Sequence, residues 1–416
     1  MINLNEKIRE KVFVIEPILD DNTLNYEDLI NEIYSLIESA NSEPCGYEIV
    51  KIREITPATF IGKGKVQEIK EKLDLTPVDT VVFDGKLSPS QTLNLSERLN
   101  GVKVVDRTTL ILDIFAQSAK THEGKLQVEL AQLNYLYPRL KGKGEALSRL
   151  GGGIGTRGPG ETQLETDRRH IKERIDNLKK ELNDLTIRRN LQSKRRKKNA
   201  EITICLVGYT NSGKSTLLNL LTDANVLAEN RLFATLDPTI RKCKIGDFEV
   251  LLIDTVGFIR NIPTDIIEAF KSTLECATNA DINLIVCDGS NNLYEEQLKV
   301  TNQILSELNA TTNTITVINK CDIAENIGNF PKNSICISAK YNKGIDKLYK
   351  KIEEVLKNNF VKTKLILNYN EIGEFTKNIE FLEKYDLEYT ENNIIVDVIV
   401  KKVYFNRFSK FKKLKK

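Results

Sequence analysis

This chain has few of the residues from which metal sites and disulfide-bonded folds are built. Its 416 residues include two His, one Met and no Trp. So few histidines argue against a metal site with His ligands. The seven cysteines are scattered and form no C-x-x-C pair, which argues against a zinc ribbon and a disulfide framework. We therefore expect the reducing environment of the cytoplasm.

Long apolar runs are also absent. No segment approaches the ~18 consecutive apolar residues of a membrane-spanning helix. Residues 1–11 are charged and lack the apolar core of a secretion signal, so we expect a cytoplasmic protein without a membrane span. With 40% hydrophobic and 29% charged residues, the composition is that of a globular protein. A single core rarely grows beyond about 300 residues, so two to four domains are expected.

The charge of the chain is unevenly distributed. The net charge is +3, but residues 139–198 hold 18 Lys and Arg against 8 Asp and Glu, and residues 400–416 hold 8 basic residues and no acidic one. The rest of the chain is therefore acidic. Basic blocks of this kind attract polyanions, so they point to a nucleic-acid partner.

Composition and hydrophobic periodicity predict a multidomain α/β protein in four parts. Residues 1–115 alternate short apolar runs with helical patterns, which predicts an N-terminal α/β domain. Residues 116–198 predict an antiparallel helical hairpin with a glycine-rich basic loop at 141–160. Residues 199–360 predict a second α/β domain with a mostly parallel sheet, and residues 361–416 a small α+β domain with a basic tail.

Individual elements follow from the same patterns. In the N-terminal domain we predict strands at 12–15, 81–83 and 102–105 and helices at 26–39, 66–73 and 91–99. In the second α/β domain, apolar runs typical of strands buried on both faces lie at 202–207, 250–253, 282–287, 314–318 and 335–337. The C-terminal domain is predicted to contain a strand, a helix at 371–384 and a strand at 394–400.

Two heptad seams predict the helical hairpin, because apolar side chains recur with 4-3-4-3 spacing in two segments. The first seam is Leu126, Leu130, Leu133, Tyr137 and Leu140; the second is Ile171, Ile175, Leu178, Leu182 and Leu185. Between them, residues 141–160 hold eight of the 22 glycines. A loop of this length without structure of its own is usually functional or disordered.

A phosphate-binding loop follows the predicted strand at 202–207. Its pattern is G-x-x-x-x-G-K-[ST], in which glycine backbone and a helix N-terminus surround phosphates. We expect Lys214 to contact the β- and γ-phosphates and the Ser215 hydroxyl to bind Mg²⁺. All eight residues of the motif are candidates for nucleotide binding: Gly208, Tyr209, Thr210, Asn211, Ser212, Gly213, Lys214 and Ser215.

Three further motifs, each after a predicted strand, favour GTP over ATP. The first is Asp254, Thr255, Val256 and Gly257; the second is Asn319, Lys320, Cys321 and Asp322; the third is Ser338, Ala339 and Lys340. Asp254 can hold Mg²⁺ through water, and the Gly257 N–H can sense the γ-phosphate. Asp322 can accept two hydrogen bonds from guanine, whereas adenine has no matching donor pair. The third motif is expected to contact guanine O6 through backbone N–H groups.

Two features bear on hydrolysis. Phe258 occupies the position where Ras-like switches have a Gln that orients the attacking water. A phenyl ring cannot hydrogen-bond a water, so we predict slow intrinsic hydrolysis, with water positioning by a partner, and we assign no catalytic residue. The ring can also serve packing. Residues 231–239 lie where a first switch belongs, and spacing leaves either Thr235 or Thr239 as a hydroxyl ligand of Mg²⁺.

Four stretches of this sequence resemble the HflX family of translational GTPases, in the Obg–HflX-like superfamily. They are 57–65 (PATFIGKGK), 151–161 (GGGIGTRGPGE), 233–238 (FATLDP) and 254–260 (DTVGFIR), and the resemblance covers about 12–360. It implies a GTPase that engages the large ribosomal subunit and can split stalled or idle ribosomes. It also implies that Thr235 is the Mg²⁺ ligand of the first switch. The nucleotide-binding candidates of this segment are Phe233, Ala234, Thr235, Leu236 and Asp237.

The glycine-rich loop suits ribosomal RNA as a partner. A thin basic tip can enter a cleft in folded RNA, where Arg and Lys bind phosphates and glycine allows close approach. The plainer alternative is a solvated connector. The candidate RNA contacts are Arg149, Gly151, Gly152, Gly153, Arg157 and Gly158. The aromatic side chains of the basic tail suit either RNA stacking or packing, and we favour packing for some of them.

Two other functions fit the nucleotide motifs. A ribosome-assembly GTPase would bind immature subunits without splitting mature ribosomes. A regulatory GTPase switch outside the ribosome would need no basic hairpin loop. In each case we expect a monomer when the protein is free.

Overall fold

The structure is a computed structural model that describes residues 9–19, 26–140, 159–198, 202–222, 232–233, 238–260, 266, 276–310, 313–324 and 330–413. The described residues pack into two compact units. The first is drawn from Met1–Asn183, Glu229–Asp237 and Arg260–Lys271, and the second from Asp184–Ala228, Pro238–Ile259 and Ser272–Lys416. None of the described helices is long and apolar enough to cross a membrane.

The first unit begins with alternating strands and helices. In chain order these are β1 (Lys11–Ile18), α1 (Tyr26–Ser39), β2 (Glu43–Lys51), α2 (Lys63–Leu75), β3 (Thr80–Phe83), α3 (Pro89–Arg98), β4 (Lys103–Asp106), α4 (Arg107–Ser118) and α5 (His122–Leu136). The strands form one parallel sheet in the order β2-β1-β3-β4. Helix α3 begins where the sequence predicts, because the Ser88 side chain accepts a hydrogen bond from the Gln91 backbone and Pro89 occupies the first turn.

The three strands and three helices predicted in this region are confirmed, and α1 has the predicted bounds. Strand β2 was not predicted. It lies at the edge of the sheet, and most of its residues are half-buried or exposed, so it lacks the apolar run that marks the central strands. Below the sheet, buried Ile15, Val81 and Phe83 pack with Ile69 of α2 and Leu95 of α3.

The predicted helical hairpin consists of α5 and the 40-residue helix α6 (Pro159–Lys198). Arg174 of α6 donates through Nε and one Nη to the two carboxylate oxygens of Glu129 on α5, both at 2.7 Å. Nearer the loop, Arg168 lies over the ring of Tyr137. The helices therefore run antiparallel. The seam is only partly buried: Leu126, Ile175 and Leu178 are buried, whereas the other predicted seam positions are half-buried.

The second unit contains a six-stranded sheet and a smaller sheet. Its elements are β5 (Ile202–Gly208), α7 (Lys214–Thr222), β6 (Thr239–Ile245), β7 (Phe248–Asp254), β8 (Ile282–Asp288), α8 (Tyr294–Glu307), β9 (Thr314–Asn319), β10 (Ile335–Cys336), α9 (Ile345–Asn359), β11 (Phe360–Leu367), α10 (Ile372–Thr376), β12 (Leu382–Tyr389), β13 (Ile394–Lys401) and β14 (Lys412–Lys413). The five strands predicted for the larger sheet are confirmed. Its order is β10-β9-β8-β5-β7-β6, and β6 is its one antiparallel strand among the described residues.

The smaller sheet has the antiparallel order β12-β13-β11-β14. The predicted helix at 371–384 was wrong beyond Thr376. The chain turns at residues 379–381 and enters β12, whose Leu382 pairs with Val400 of β13. Sheet pairing buries Leu382 beside Val398 and Val400, and a continued helix would lose that pairing. In the basic tail, Phe408 and Phe411 are buried in this core, as expected for packing.

Candidate nucleotide site

The phosphate-binding loop lies in the second unit between β5 and α7. Two of its glycines have left-handed backbone angles, with φ of 146° at Gly208 and 91° at Gly213. A Cβ atom at Gly208 would lie 2.2 Å from the Val286 carbonyl oxygen, and one at Gly213 would lie 2.2 Å from Nδ2 of Asn319. Neither position can therefore accept a side chain without movement of its surroundings. The loop then enters α7, whose N-terminal N–H groups are suited to an anion.

Lys214, the first residue of α7, is buried within this loop. Its ammonium donates to the carbonyl oxygens of Tyr209 at 2.8 Å and Gly208 at 3.2 Å. Burial lowers the pKa of Lys214 to about 8, although the Asp254 carboxylate opposes the shift. A nearby phosphate would favour the charged form, so this position suits a group that binds polyphosphate.

Ser215 and Asp254 place two oxygen donors side by side. The Ser215 hydroxyl donates to Oδ2 of Asp254 at 2.6 Å, at the end of β7. Asp254 is fully buried. A hydroxyl and a carboxylate beside a phosphate-binding loop are the hard ligands that Mg²⁺ prefers, so this donor set fits the ion.

The segment after Asp254 lies against the phosphate-binding loop. The Thr210 N–H donates to the Phe258 carbonyl at 2.7 Å, and the Phe258 N–H donates to the Gly208 carbonyl at 3.0 Å. A Cβ at Gly257 would lie 2.9 Å from Nζ of Lys214, so glycine permits this approach. The Phe258 side chain is 2% exposed. It therefore packs in the interior, while its backbone fixes the position of Gly257.

The two guanine motifs meet at the carboxyl ends of β9 and β10. The buried Asn319 side chain accepts a hydrogen bond from the Ala339 N–H at 2.9 Å and donates to the Ser212 carbonyl at 2.9 Å. One amide thus joins both guanine motifs to the phosphate-binding loop. At the surface, a hydrogen bond with Ser338 lowers the pKa of Asp322, which favours the ionised acceptor that guanine requires.

Lys320 has a partner that the sequence analysis missed. Its ammonium lies 2.7 Å from Oδ2 of Asp288, which ends β8. Lys320 also has a left-handed backbone, with φ of 59°. The sequence offered one sign of this contact. Asp288 directly follows a predicted strand, and the carboxyl end of that strand lies at the same edge of the sheet as the strand before Lys320.

Several predicted site residues lie apart from this constellation or outside the described residues. Phe233 is described and belongs to the first unit, where its ring packs on Phe115 with centroids 4.6 Å apart. Ala234, Thr235, Leu236 and Asp237 lie outside the described residues, as do all six RNA candidates: Arg149, Gly151, Gly152, Gly153, Arg157 and Gly158. Thr239, the alternative Mg²⁺ ligand, is the first residue of β6.

Three family descriptions match consecutive parts of the chain. GTP-binding GTPase N-terminal matches residues 27–116, GTP-binding GTPase Middle Region matches 118–196, and 50S ribosome-binding GTPase matches 203–320. With the geometry above, these matches define a P-loop GTPase, an enzyme that binds GTP and hydrolyses it.

Relatives extend the match over nearly the full length. The GTPase HflX of Caldanaerobacter subterraneus subsp. tengcongensis is 50% identical over 332 residues, which cover 79% of this chain and 77% of the relative. The GTPase HflX of Lacrimispora saccharolytica is 44% identical over 411 residues, which cover 96% of this chain and 95% of the relative. A GTP-binding protein of Sulfolobus solfataricus, crystallised with GDP, aligns with 83% of this chain and 98% of its own at 26% identity and a TM-score of 0.44. The chain belongs to the HflX family of GTPases.

Proposed function

We propose that this GTPase binds the large ribosomal subunit in the cytoplasm and uses its GTP cycle to split stalled or idle ribosomes. The observation that supports this best is the helical hairpin. Helices α5 and α6 pack antiparallel, so the basic loop of residues 141–158 is carried between two helix ends. The 15 residues of α5 make the paired part of the hairpin about 22 Å long. A basic loop at the end of a hairpin is suited to contact RNA. The 50S ribosome-binding description matched by residues 203–320 supports the same partner.

The nucleotide site supplies the binding half of this cycle. We expect Lys214 and the N–H groups of the phosphate-binding loop to bind the β- and γ-phosphates. Ser215 and Asp254 are expected to hold Mg²⁺, with Thr235 as the ligand from the first switch. When bound, Mg²⁺ neutralises charge on the phosphates. Asp322 is expected to select guanine through two accepted hydrogen bonds.

The hydrolytic half depends on a partner in this proposal. The buried Phe258 ring offers no hydrogen bond to an attacking water. We therefore expect slow intrinsic turnover that rises when the large subunit supplies or induces the missing water contact. Binding linkage then requires GTP to strengthen the affinity for the subunit relative to GDP.

The test is GTP turnover with and without purified large subunits at two salt concentrations. Strong stimulation that weakens as salt rises is expected, because Lys and Arg that bind phosphates release counterions. A double variant, Arg149→Gln with Arg157→Gln, should lower the ratio of stimulated to basal turnover. The charge-matched control is Lys179→Gln with Lys180→Gln, two exposed positions of α6 that should keep the ratio.

Two outcomes would contradict the proposal. Absence of stimulation, with intact GTP binding, would favour a regulatory switch outside the ribosome. Stimulation without conversion of 70S particles to subunits in sedimentation would favour a ribosome-assembly GTPase.

A further inference from the structure

A short turn after β8 lies against the guanine motif at residues 319–322, and both belong to the second unit. The turn consists of Asp288, Gly289 and Ser290, and we call it the β8 turn. Strands β8 and β9 are parallel neighbours, and their pairing ends with Asp288 opposite Asn319. The β8 turn therefore begins beside the first residue of the motif. The sequence motifs for guanine binding include none of its three residues.

The backbone of the β8 turn is bonded to the guanine motif. The Gly289 N–H donates to the Asn319 carbonyl at 2.8 Å. A Cβ atom at Gly289 would lie 2.6 Å from Cγ2 of Ile318, so glycine permits this close approach to β9. The Asn319 side chain is fixed as well, because its amide joins Ser212 and Ala339. The chain that enters the next residue, the lysine of the motif, is thus held on the backbone and the side-chain side.

The Asp288 carboxylate uses its two oxygens for different partners. Oδ2 lies 2.7 Å from Nζ of Lys320. Oδ1 accepts hydrogen bonds from the Ser290 N–H at 3.0 Å and from the Ser290 hydroxyl at 2.6 Å. The Asp288 side chain is 13% exposed and that of Lys320 is 29% exposed. The contacts with Ser290 orient the carboxylate, and its other oxygen is left to bind the ammonium.

Lys320 also has an unusual backbone conformation. Among the described residues, eight that are not glycine have positive φ, and five of these are asparagines, which tolerate the left-handed region. Lys320, with φ of 59°, gains no such tolerance from its side chain. A conformation of this kind persists where the surrounding structure imposes it, and it is found most often at functional sites.

The pair of Asp288 and Lys320 orders a side chain more than it stabilises the fold. A partly exposed ion pair adds little to the free energy of folding, because water screens the attraction. A long lysine side chain nevertheless loses rotamer freedom when its head is held. The main result of the pair is therefore a Lys320 stem that is confined to few arrangements.

The confined stem lies next to the residue that is expected to bind guanine. Lys320 is two residues before Asp322, and the Ile323 N–H closes this turn by donating to the Lys320 carbonyl at 3.1 Å. Asp322 is expected to bind the edge of the base, which leaves the flat faces of the base to other groups. A lysine stem is apolar and can cover such a face while its charged head stays paired.

We propose that Asp288 is a positioning residue for nucleotide binding, because its carboxylate anchors the Lys320 ammonium and so arranges the lysine stem to stack on the guanine base. Order that exists before binding lowers the entropy lost on binding, so the affinity for the nucleotide rises. Stacking does not read the edge of a base, so the choice among purines is left to Asp322. The inference rests on the proposed binding of guanine at residues 319–322 and lies within the second unit.

The first test compares Asp288→Ala and Asp288→Asn in the full chain, with GDP and with tripolyphosphate, which has phosphates but no base. We expect Asp288→Ala to lower the affinity for GDP about tenfold, the cost of ordering one long side chain, and to keep that for tripolyphosphate within about twofold. Asp288→Asn should give an intermediate loss, because an amide oxygen still accepts from the ammonium. Competition against fluorescent GDP measures both ligands.

The matched control is Asp397→Ala. It removes the acid of another ion pair in the second unit, whose Lys364 Nζ lies 2.9 Å from Oδ2 of Asp397 on the smaller sheet. Both affinities should stay at the wild-type values. In steady-state turnover, Asp288→Ala should raise KM for GTP and leave kcat unchanged, because contacts with the base are the same in the ground state and the transition state.

A double variant tests whether Asp288 acts through the ammonium. Lys320→Met removes the charge and keeps an unbranched stem. The combination of Asp288→Ala with Lys320→Met should bind GDP as Lys320→Met alone does, because no ammonium is left to anchor. Losses that add in the double variant would overturn the proposal.

Two further results would overturn it. The first is an unchanged GDP affinity in Asp288→Ala. The second is an equal loss for GDP and tripolyphosphate together with a lower melting temperature, because that pattern indicates a purely structural role at the end of β8. The variant Asp322→Asn separates the two proposals. An exchange of base preference in Asp322→Asn beside an unchanged Asp288→Ala would refute the positioning role alone. A tenfold loss in Asp288→Ala without that exchange would refute only the edge contacts of Asp322.

Discussion

The side chain of Asn319 connects the phosphate-binding loop to Ala339. Its amide nitrogen donates to the Ser212 carbonyl at 2.9 Å, and its amide oxygen accepts a hydrogen bond from the Ala339 N–H. Asn319 is 3% exposed. Substituting Asn319→Ala would leave two buried backbone groups without partners. Each costs about 1–3 kcal/mol, so we expect weaker GDP binding and a lower free energy of unfolding. Fluorescent GDP titration and urea unfolding measure the two effects. The control Asn313→Ala removes an exposed amide with one hydrogen bond and should change neither.

Gly213 cannot accept a side chain in this loop. Its φ is 91°, and a Cβ would lie 2.2 Å from Nδ2 of Asn319. Backbone strain of about 1–3 kcal/mol is expected in Gly213→Ala, which corresponds to a loss of GDP affinity of about 5- to 150-fold. Gly373→Ala is the matched control, because its Cβ would meet no atom within 4 Å. Equal affinities of the two variants would contradict the loop geometry.

Lys214 should take up a proton when nucleotide binds at alkaline pH. Burial lowers its pKa to about 8, and phosphate charge raises it again in the complex. Affinity should therefore fall as pH rises through 8, by up to about tenfold per pH unit. Calorimetry in two buffers of different ionisation enthalpy measures the proton uptake, which should be small at pH 6.5 and approach about one proton near pH 9. Proton release on binding would have the wrong sign.

Glu16 should make the protein less stable as pH rises. The folded state keeps the proton of Glu16 up to a pKa of about 9, whereas the unfolded chain releases it near 4.5. Between these two pH values the free energy of unfolding should decrease as pH rises, by at most about 1.4 kcal/mol per pH unit. The charged groups that face Glu16 are Asp84, Arg107 and Arg260.

The substitution Glu16→Gln should flatten this pH dependence, because an amide mimics the protonated carboxyl. Urea unfolding between pH 5.5 and 8.5 measures it. Exposed Glu38→Gln should retain the wild-type slope. Parallel slopes for wild type and Glu16→Gln would show that Glu16 is ionised in the folded state.

Asp322 should determine the choice of base. Its carboxylate accepts hydrogen bonds from guanine, whereas the amide of Asp322→Asn offers a donor that suits the additional oxygen of xanthine. We expect the variant to lose affinity for GDP and to gain affinity for xanthosine diphosphate. Competition binding with both nucleotides measures the exchange of preference. A parallel loss of both affinities would mean that Asp322 acts through local structure.

The sequence predicted those parts of the site that are contiguous in the chain. The phosphate-binding loop is recognised from eight adjacent residues. The three later motifs each follow a parallel strand, so they lie at the same edge of a sheet. Contacts between residues that are distant in the sequence could not be predicted in this way. Arg107 and Arg260 are 153 residues apart, and neither local sequence indicates the other as a partner.

The strands that were missed share a second cause. Strands β2 and β6 are edge strands with exposed or charged positions, so they lack the apolar runs that mark central strands. The helix predicted at 371–384 fails where pairing of β12 with β13 outweighs local helix propensity. Hydrophobic periodicity therefore predicted the central strands together with the edge strands β4 and β10, and it missed the edge strands that carry exposed or charged positions.

The six-stranded sheet ends in two strands that make poor templates for other chains. At one edge β10 has only two residues. At the other, β6 exposes Arg241, Lys242 and Lys244. Charge and shortness at sheet edges oppose strand addition between molecules. In a crowded solution, where the protein is synthesised beside many other nascent chains, these edges lower the tendency of the folded GTPase domain to aggregate.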